Sequence, residues 1–180
     1  MTTHLCCPVC RCDLEHLPDG YECRTCRRLY PVVLGIPDFR VAPPAHFNAA
    51  ADLETARLLA EEEHELDFEG LLHLYYKLRP EVSGELHAAH LAHLAGESDQ
   101  AQAALDLIEE RRPFEPGDAV LEVGCGFGQY LAAAGERVEH VAGVDLALPF
   151  LILTRKRLGG RGLLAAAEAE RLPFREASFA

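Results

Sequence analysis

The chain lacks an excess of basic residues. Its 17 Lys and Arg stand against 29 Asp and Glu, a net charge of −12. A chain of that sign gains nothing from neutralising phosphates, which counts against non-specific nucleic-acid binding. An apolar leader is missing too. Met1 to Cys7 runs directly into polar, Cys-rich sequence, so no secretory signal is expected. Nor is there an apolar run of membrane-spanning length, and the stretch in the C-terminal third is interrupted by Asp145. Seven cysteines without an export signal point to a reducing, cytoplasmic setting, where such patterns are metal sites more often than disulfides.

Apolar residues, at 49%, suffice for a core. At 180 residues the chain has room for one ordinary domain, or for a small module and part of a larger one. Charge divides it in three. Residues 1–40 hold five basic and five acidic groups, 41–117 five and sixteen, and 118–180 seven and eight. The acidic excess belongs to the middle.

In the first segment, Cys7-Pro8-Val9-Cys10 and Cys23-Arg24-Thr25-Cys26 are two knuckles 12 residues apart. Two residues between cysteines let both thiolates face one ion, so Cys7, Cys10, Cys23 and Cys26 are expected to form a closed, structural zinc site. In so small a module the metal would supply folding free energy that the core cannot. Asp19-Gly20 is expected at a hairpin tip, Tyr30 to Leu34 as a strand, and Gly35-Ile36-Pro37 as the turn ending it. Cys6 and Cys12 are expected to be free thiols.

Pro43-Pro44 is a stiff connector into a helical middle. Leu53, Ala56 and Ala60 keep one face. Further helices are expected around Phe68 to Leu78, from Ser83 to Leu94, and from an N-cap at Ser98 with Ala101, Ala104, Leu105 and Ile108 as its buried stripe. His87, His90 and His93 do not form a metal site on a straight helix, because His93 lies about 240° around from His87. Tyr75 and Tyr76 are expected to pack in the core rather than to line a substrate entrance.

The third segment is organised by Val120-Leu121-Glu122-Val123-Gly124-Cys125-Gly126-Phe127-Gly128. A short buried strand runs into glycines at alternate positions, which permit positive φ and the close approach of a ligand. A dinucleotide fingerprint would need its third glycine at position 129, which is Gln129. Beyond the turn the pattern reads helix (about 128–136), strand (139–145), helix (149–158) and strand (162–166). That alternation implies parallel strands.

Glu122 with Gly124, Gly126 and Gly128 resembles the first motif of class I S-adenosylmethionine-dependent methyltransferases. His140 to Leu146, ending on the acid Asp145, is similar to their second. Glu168-Ala169-Glu170-Arg171-Leu172-Pro173-Phe174 is similar to their acid-Ala-x-x-Leu-Pro-Phe segment. The resemblance implies a backbone turn beneath the methionine part of the cofactor, with Glu122 ordering it and Cys125 as a small residue within it. It implies Asp145, followed by Leu146, at the ribose hydroxyls, and Glu168 and Ala169 beside the adenine. Residues 5–40 resemble the zinc ribbon of the small tRNA-methyltransferase activator family.

The expected fold is therefore α/β: an incomplete doubly wound, Rossmann-like parallel sheet (118–180), preceded by an acidic helical segment (41–117) and a zinc ribbon (1–40). Ala177-Ser178-Phe179-Ala180 resembles the approach to a fourth strand, so the chain is expected to be the N-terminal part of a longer enzyme with one sheet edge exposed to a protein partner. The expected activity is methyl transfer from S-adenosylmethionine to a small-molecule or unassigned acceptor. RNA is the less favoured acceptor, no membrane is involved, and no catalytic residue is assigned. A non-catalytic, zinc-dependent partner of a methyltransferase is the rival expectation.

Overall fold

A computed structural model of the chain describes residues 5–79, 84–115 and 117–179, apart from the side chains of 85–87, 89–90 and 92–98. Pro116 and Ala180, and the side chains of His87, His90, His93 and Ser98, lie outside the described residues.

The N-terminal sheet is an antiparallel meander of β1 (Leu14–Leu17), β2 (Gly20–Cys23), β3 (Leu29–Val33) and β4 (Ile36–Pro37). Its two tight turns differ from expectation by a residue or more. Gly20 already pairs with Leu17, so the first tip is Pro18-Asp19; a side chain at Gly20 would collide with the carbonyl of Tyr30. Ile36 and Pro37 form a strand and not a turn, pairing with Val33 and Val32. The chain reverses instead at Leu34-Gly35, both at positive φ (52° and 78°), the conformation that matches the twist of a two-residue hairpin.

Three helices follow. Helix α1 (Ala49–Glu62) is capped by Asn48, and α2 (Phe68–Lys77) by Asp67, each side chain accepting the amide three residues on. Helix α3 runs unbroken over Gly84–Glu109. This replaces the two helices expected from Ser83 and Ser98. The sequence between them holds one helix-weakening residue, Gly96, whose cost of about 1 kcal/mol a long packed helix tolerates. Ala101 and Leu105 are buried as the stripe requires, whereas Ile108 is exposed; beside it Arg137 binds Asp106 and Glu109.

The second sheet is parallel, in the order β5 (Ala119–Val123), β6 (His140–Asp145), β7 (Leu163–Ala166). Helices α4 (Gln129–Ala134) and α5 (Leu148–Arg157) make the crossovers. Side chains alternate across a strand, and two cores result. Val141, Leu164 and Ala166 join α1–α5, while Ala142, Val144 and Ala165 join Tyr30 and Phe39 of the N-terminal module. Leu151, Ile152 and Leu153 of α5 are wholly buried, each contributing about 1.5–3 kcal/mol.

The N-terminal module is thus docked, not tethered. Asp38 makes a parallel bridge to Ala166, and the Phe39 amide donates to the Ala166 carbonyl at 2.8 Å. The opposite sheet edge, at β5, carries no strand among the described residues. No helix of the described residues is long and apolar enough to cross a membrane.

Candidate functional site

The carboxyl ends of β5 and β6, with the segment leaving β7, open onto a cleft of about 510 Å³. Val123, Gly124, Val144, Asp145, Leu146 and the run Ala167–Arg171 line it, and Ala42 and Pro44 close it from the side of the N-terminal module. Ligands of open parallel sheets bind in such crevices, at strand carboxyl ends.

The glycine turn is held by its neighbours. Gly124, Gly126 and Gly128 have φ of 73°, 49° and 71°. At Gly128 a Cβ would lie 2.6 Å from Thr154 Cγ2, so a larger residue is excluded by crowding as well as by conformation. Thr154 donates its hydroxyl to the Gly126 carbonyl at 2.8 Å. It is a buried polar residue that the sequence announced only as one hydroxyl at the end of the Leu151-Ile152-Leu153 run.

Four amides of the turn are already engaged. Gly124 and Cys125 donate to the Val144 carbonyl at 2.8 and 3.0 Å, and Gly128 to the Cys125 carbonyl at 2.8 Å. Gly126 donates to Asp145 Oδ2 at 3.0 Å. A pyrophosphate needs free N–H groups converging on it; here four are bonded within the protein, and the carboxylate of Asp145 stands in the cleft lining.

Glu122 replaces a missing cap. Gly128 begins α4 without a capping side chain, and Glu122 reaches from β5 to accept the Leu131 amide at 3.2 Å. Burial, and secondarily the charge of Asp145, lift its carboxyl to about 7, although the Leu131 hydrogen bond opposes the rise. Asp145 turns its second oxygen to the Ala147 amide at 2.9 Å. Cys125 is buried, and its thiol is pushed up to about 12, by burial first and by Asp145 and Glu122 next. It packs as a small neutral group within the turn.

Glu168 lines the cleft, yet its carboxylate accepts the amides of Val41 (2.9 and 3.1 Å) and Ala42 (2.7 Å). Ala169 lies beside it in the lining. Sequence reasoning missed this linker, and with it Arg40 and Asp52. Arg40 binds Asp38, Asp52 and the Leu146 carbonyl, and Asp52 also accepts the Leu148 amide at the start of α5. No local motif marks either residue. Tyr75 and Tyr76 are buried; Tyr75 packs on Phe127 of the turn and on Phe150, with centroids 6.0 and 5.7 Å away. The turn is buttressed from beneath.

The four knuckle sulfurs, of Cys7, Cys10, Cys23 and Cys26, lie within 4.8 Å of one another. Cys7 and Cys26 are 3.7 Å apart, and Cys10 and Cys23 3.4 Å. Metal–sulfur bonds of about 2.3 Å in a tetrahedron give edges of about 3.8 Å, so the sulfur set fits one ion. The Cys26 amide donates to the Cys23 sulfur. Cys6 and Cys12 stand outside the cluster, Cys6 buried and Cys12 turned to the Cys10 carbonyl.

Cleft, turn and strand order together define a ligand site at the carboxyl edge of a parallel sheet. Residues 121–180 match the family profile described as a methyltransferase domain. That match covers the C-terminal third of the chain. Among solved structures, the chain is similar to CalS10 from Micromonospora echinaspora, an amino pentose methyltransferase involved in calicheamicin biosynthesis, with S-adenosylmethionine bound. Identity there is 34% over 44% of this chain and 34% of that one, with a TM-score of 0.38. It is similar also to Streptomyces venezuelae DesVI, at 27% identity over 43% of this chain and 32% of that one, TM-score 0.37. A third likeness is to Haemonchus contortus phosphoethanolamine N-methyltransferase 2, at 28% identity over 45% and 19%, TM-score 0.36. The chain thus spans about a third of the length of the first two. No curated protein sequence matches it.

Proposed function

We propose that the chain binds S-adenosylmethionine in the cleft and serves methyl transfer to a small-molecule acceptor, as the N-terminal part of a longer enzyme. The observation that carries this reading is the glycine turn, which has two acidic side chains beside it, Asp145 in the cleft lining and Glu122 at the Leu131 amide, while the amides of Gly124, Cys125, Gly126 and Gly128 are internally bonded. Such a turn suits a cationic ligand and disfavours a pyrophosphate. Bound S-adenosylmethionine supplies a methyl group on a positively charged sulfur. Asp145, beside Leu146, would hold the ribose hydroxyls, Glu122 would face the cationic methionine end, and Glu168 and Ala169 would flank the adenine. Gly124 and Gly126, with no atom near a would-be Cβ, leave room for close approach. Such residues act by binding and orienting, and proximity supplies most of the rate.

We assign a structural zinc ion to Cys7, Cys10, Cys23 and Cys26, which leaves no open position for chemistry, and place the protein in the cytoplasm. The acidic surface supports a small-molecule acceptor over RNA. The open edge of β5, where Val123 is 44% exposed, favours one addition: a further strand, from the same polypeptide or from a protein partner, completes the sheet there.

Calorimetric titration with S-adenosylmethionine, with NAD as control, tests the assignment. Selective binding of the first is expected. Preferential binding of NAD would replace the reading with that of a dinucleotide-dependent oxidoreductase.

A further inference from the structure

The N-terminal module reaches the cleft through its own exit strand. From Asp38 the chain runs beside the end of β7, bridging to Ala166. Phe39 donates to the Ala166 carbonyl, and Arg40 to the Leu146 carbonyl at 3.0 Å. The amides of Val41 and Ala42 then close on the Glu168 carboxylate with three contacts of 2.7–3.1 Å. Two residues further on, Pro44 is already part of the cleft wall with Ala42. Glu168 is only 5% exposed. A carboxylate buried to that extent is held by its hydrogen bonds, and a linker so bonded is fixed with it.

We propose that Glu168 is a positioning residue that latches the linker of the cysteine module over the cofactor cleft, making that module a wall of the binding site. Its effect on the cofactor passes through Ala42 and Pro44 rather than through direct reading of the adenine amino group. Occupancy of the four-cysteine site is thereby coupled to cofactor affinity: a module unfolded by metal loss no longer presents residues 38–44 to the sheet. The coupling rests on the proposed cofactor; the latch itself does not. Fixing the wall before the ligand arrives removes an ordering cost from binding.

Two variants of the full chain test this from opposite sides. Glu168→Gln removes the charge and one acceptor oxygen, and Ala42→Pro removes the donor while leaving Glu168 intact. Amide exchange at Val41 and Ala42, followed by mass spectrometry or NMR, is expected to accelerate about 10-fold or more in E168Q and in zinc-chelated protein. Unchanged exchange would overturn the latch whether or not any cofactor binds. Affinity is then measured for S-adenosylhomocysteine and for its inosine analogue, which lacks the adenine amino group. Both variants and the chelated protein are expected to bind both ligands about 10-fold more weakly, a loss of about 1.4 kcal/mol. If E168Q weakens the adenosine ligand alone and A42P is neutral, Glu168 reads the adenine directly and the proposal fails. If wild-type protein binds neither ligand, the cofactor assignment fails, and amide exchange still decides the latch.

Discussion

Replacing Glu122 with Gln tests whether an acid is stored at the glycine turn against its own solvation. The side chain caps α4 through the Leu131 amide, and the amide of Gln keeps an oxygen for that role. What the substitution removes is the titration. Lifting a carboxyl from 4.5 to about 7 corresponds to about 3 kcal/mol, at about 1.4 kcal/mol per pH unit. Solvent screening of a partly exposed group lowers that to about 2 kcal/mol. The sign follows from linkage: the native state holds this proton more tightly than the unfolded chain does. Stability is therefore full below about pH 4.5, is lost as pH rises to about 7, and is level above that. Urea unfolding at pH 5 and pH 8 is expected to show wild-type protein losing about 2 kcal/mol more than E122Q across the interval. The comparison cancels the pH dependence common to both chains. A cationic ligand beside Glu122 would favour its ionised form, so binding near pH 6.5 should release a proton. That release appears as a heat that varies with buffer, and it should vanish in E122Q. Parallel stability profiles for the two proteins would refute the account of Glu122 as a carboxyl raised by burial.

Gly128→Ala places a Cβ at 2.6 Å from Thr154 on a backbone at positive φ; a loss of about 2–4 kcal/mol is expected, read as a fall in unfolding midpoint. Arg40→Ala leaves the buried Asp52 without its cation and should cost about 3–5 kcal/mol by chemical denaturation. Metal analysis should find one zinc per chain, lost in Cys10→Ser and Cys26→Ser and retained in Cys6→Ser and Cys12→Ser. Asp145→Asn should weaken S-adenosylmethionine binding about 10-fold or more by calorimetry, since a ribose hydroxyl would lose a charged acceptor.

The C-terminal third was legible because its signals are local. Strand Ala119–Val123, the glycine turn and strand His140–Asp145 each declare themselves within a few residues, by apolar runs and by glycines where positive φ is needed. The knuckles were legible for the same reason: two-residue spacing fixes how two sulfurs face one point. Where local signals were weak, the reading slipped. The break expected between Leu94 and Ser98 rested on one glycine and one capping residue, and α3 runs through both.

By itself, the sequence determined the order of the elements, the parallel sheet, the sulfur set and the acids at the turn, because hydrophobic period and ligand spacing act over short stretches of chain. Tertiary structure alone decided what those acids and the N-terminal module do. Glu168 meets Val41 and Ala42 across more than 120 residues, Arg40 meets Leu146 across 106, and Thr154 of α5 braces Gly126 of the turn. No periodicity records such pairings. They exist because burying a carboxylate, a guanidinium or a hydroxyl requires a partner, and the folded chain supplies whichever polar group the packing has brought within reach.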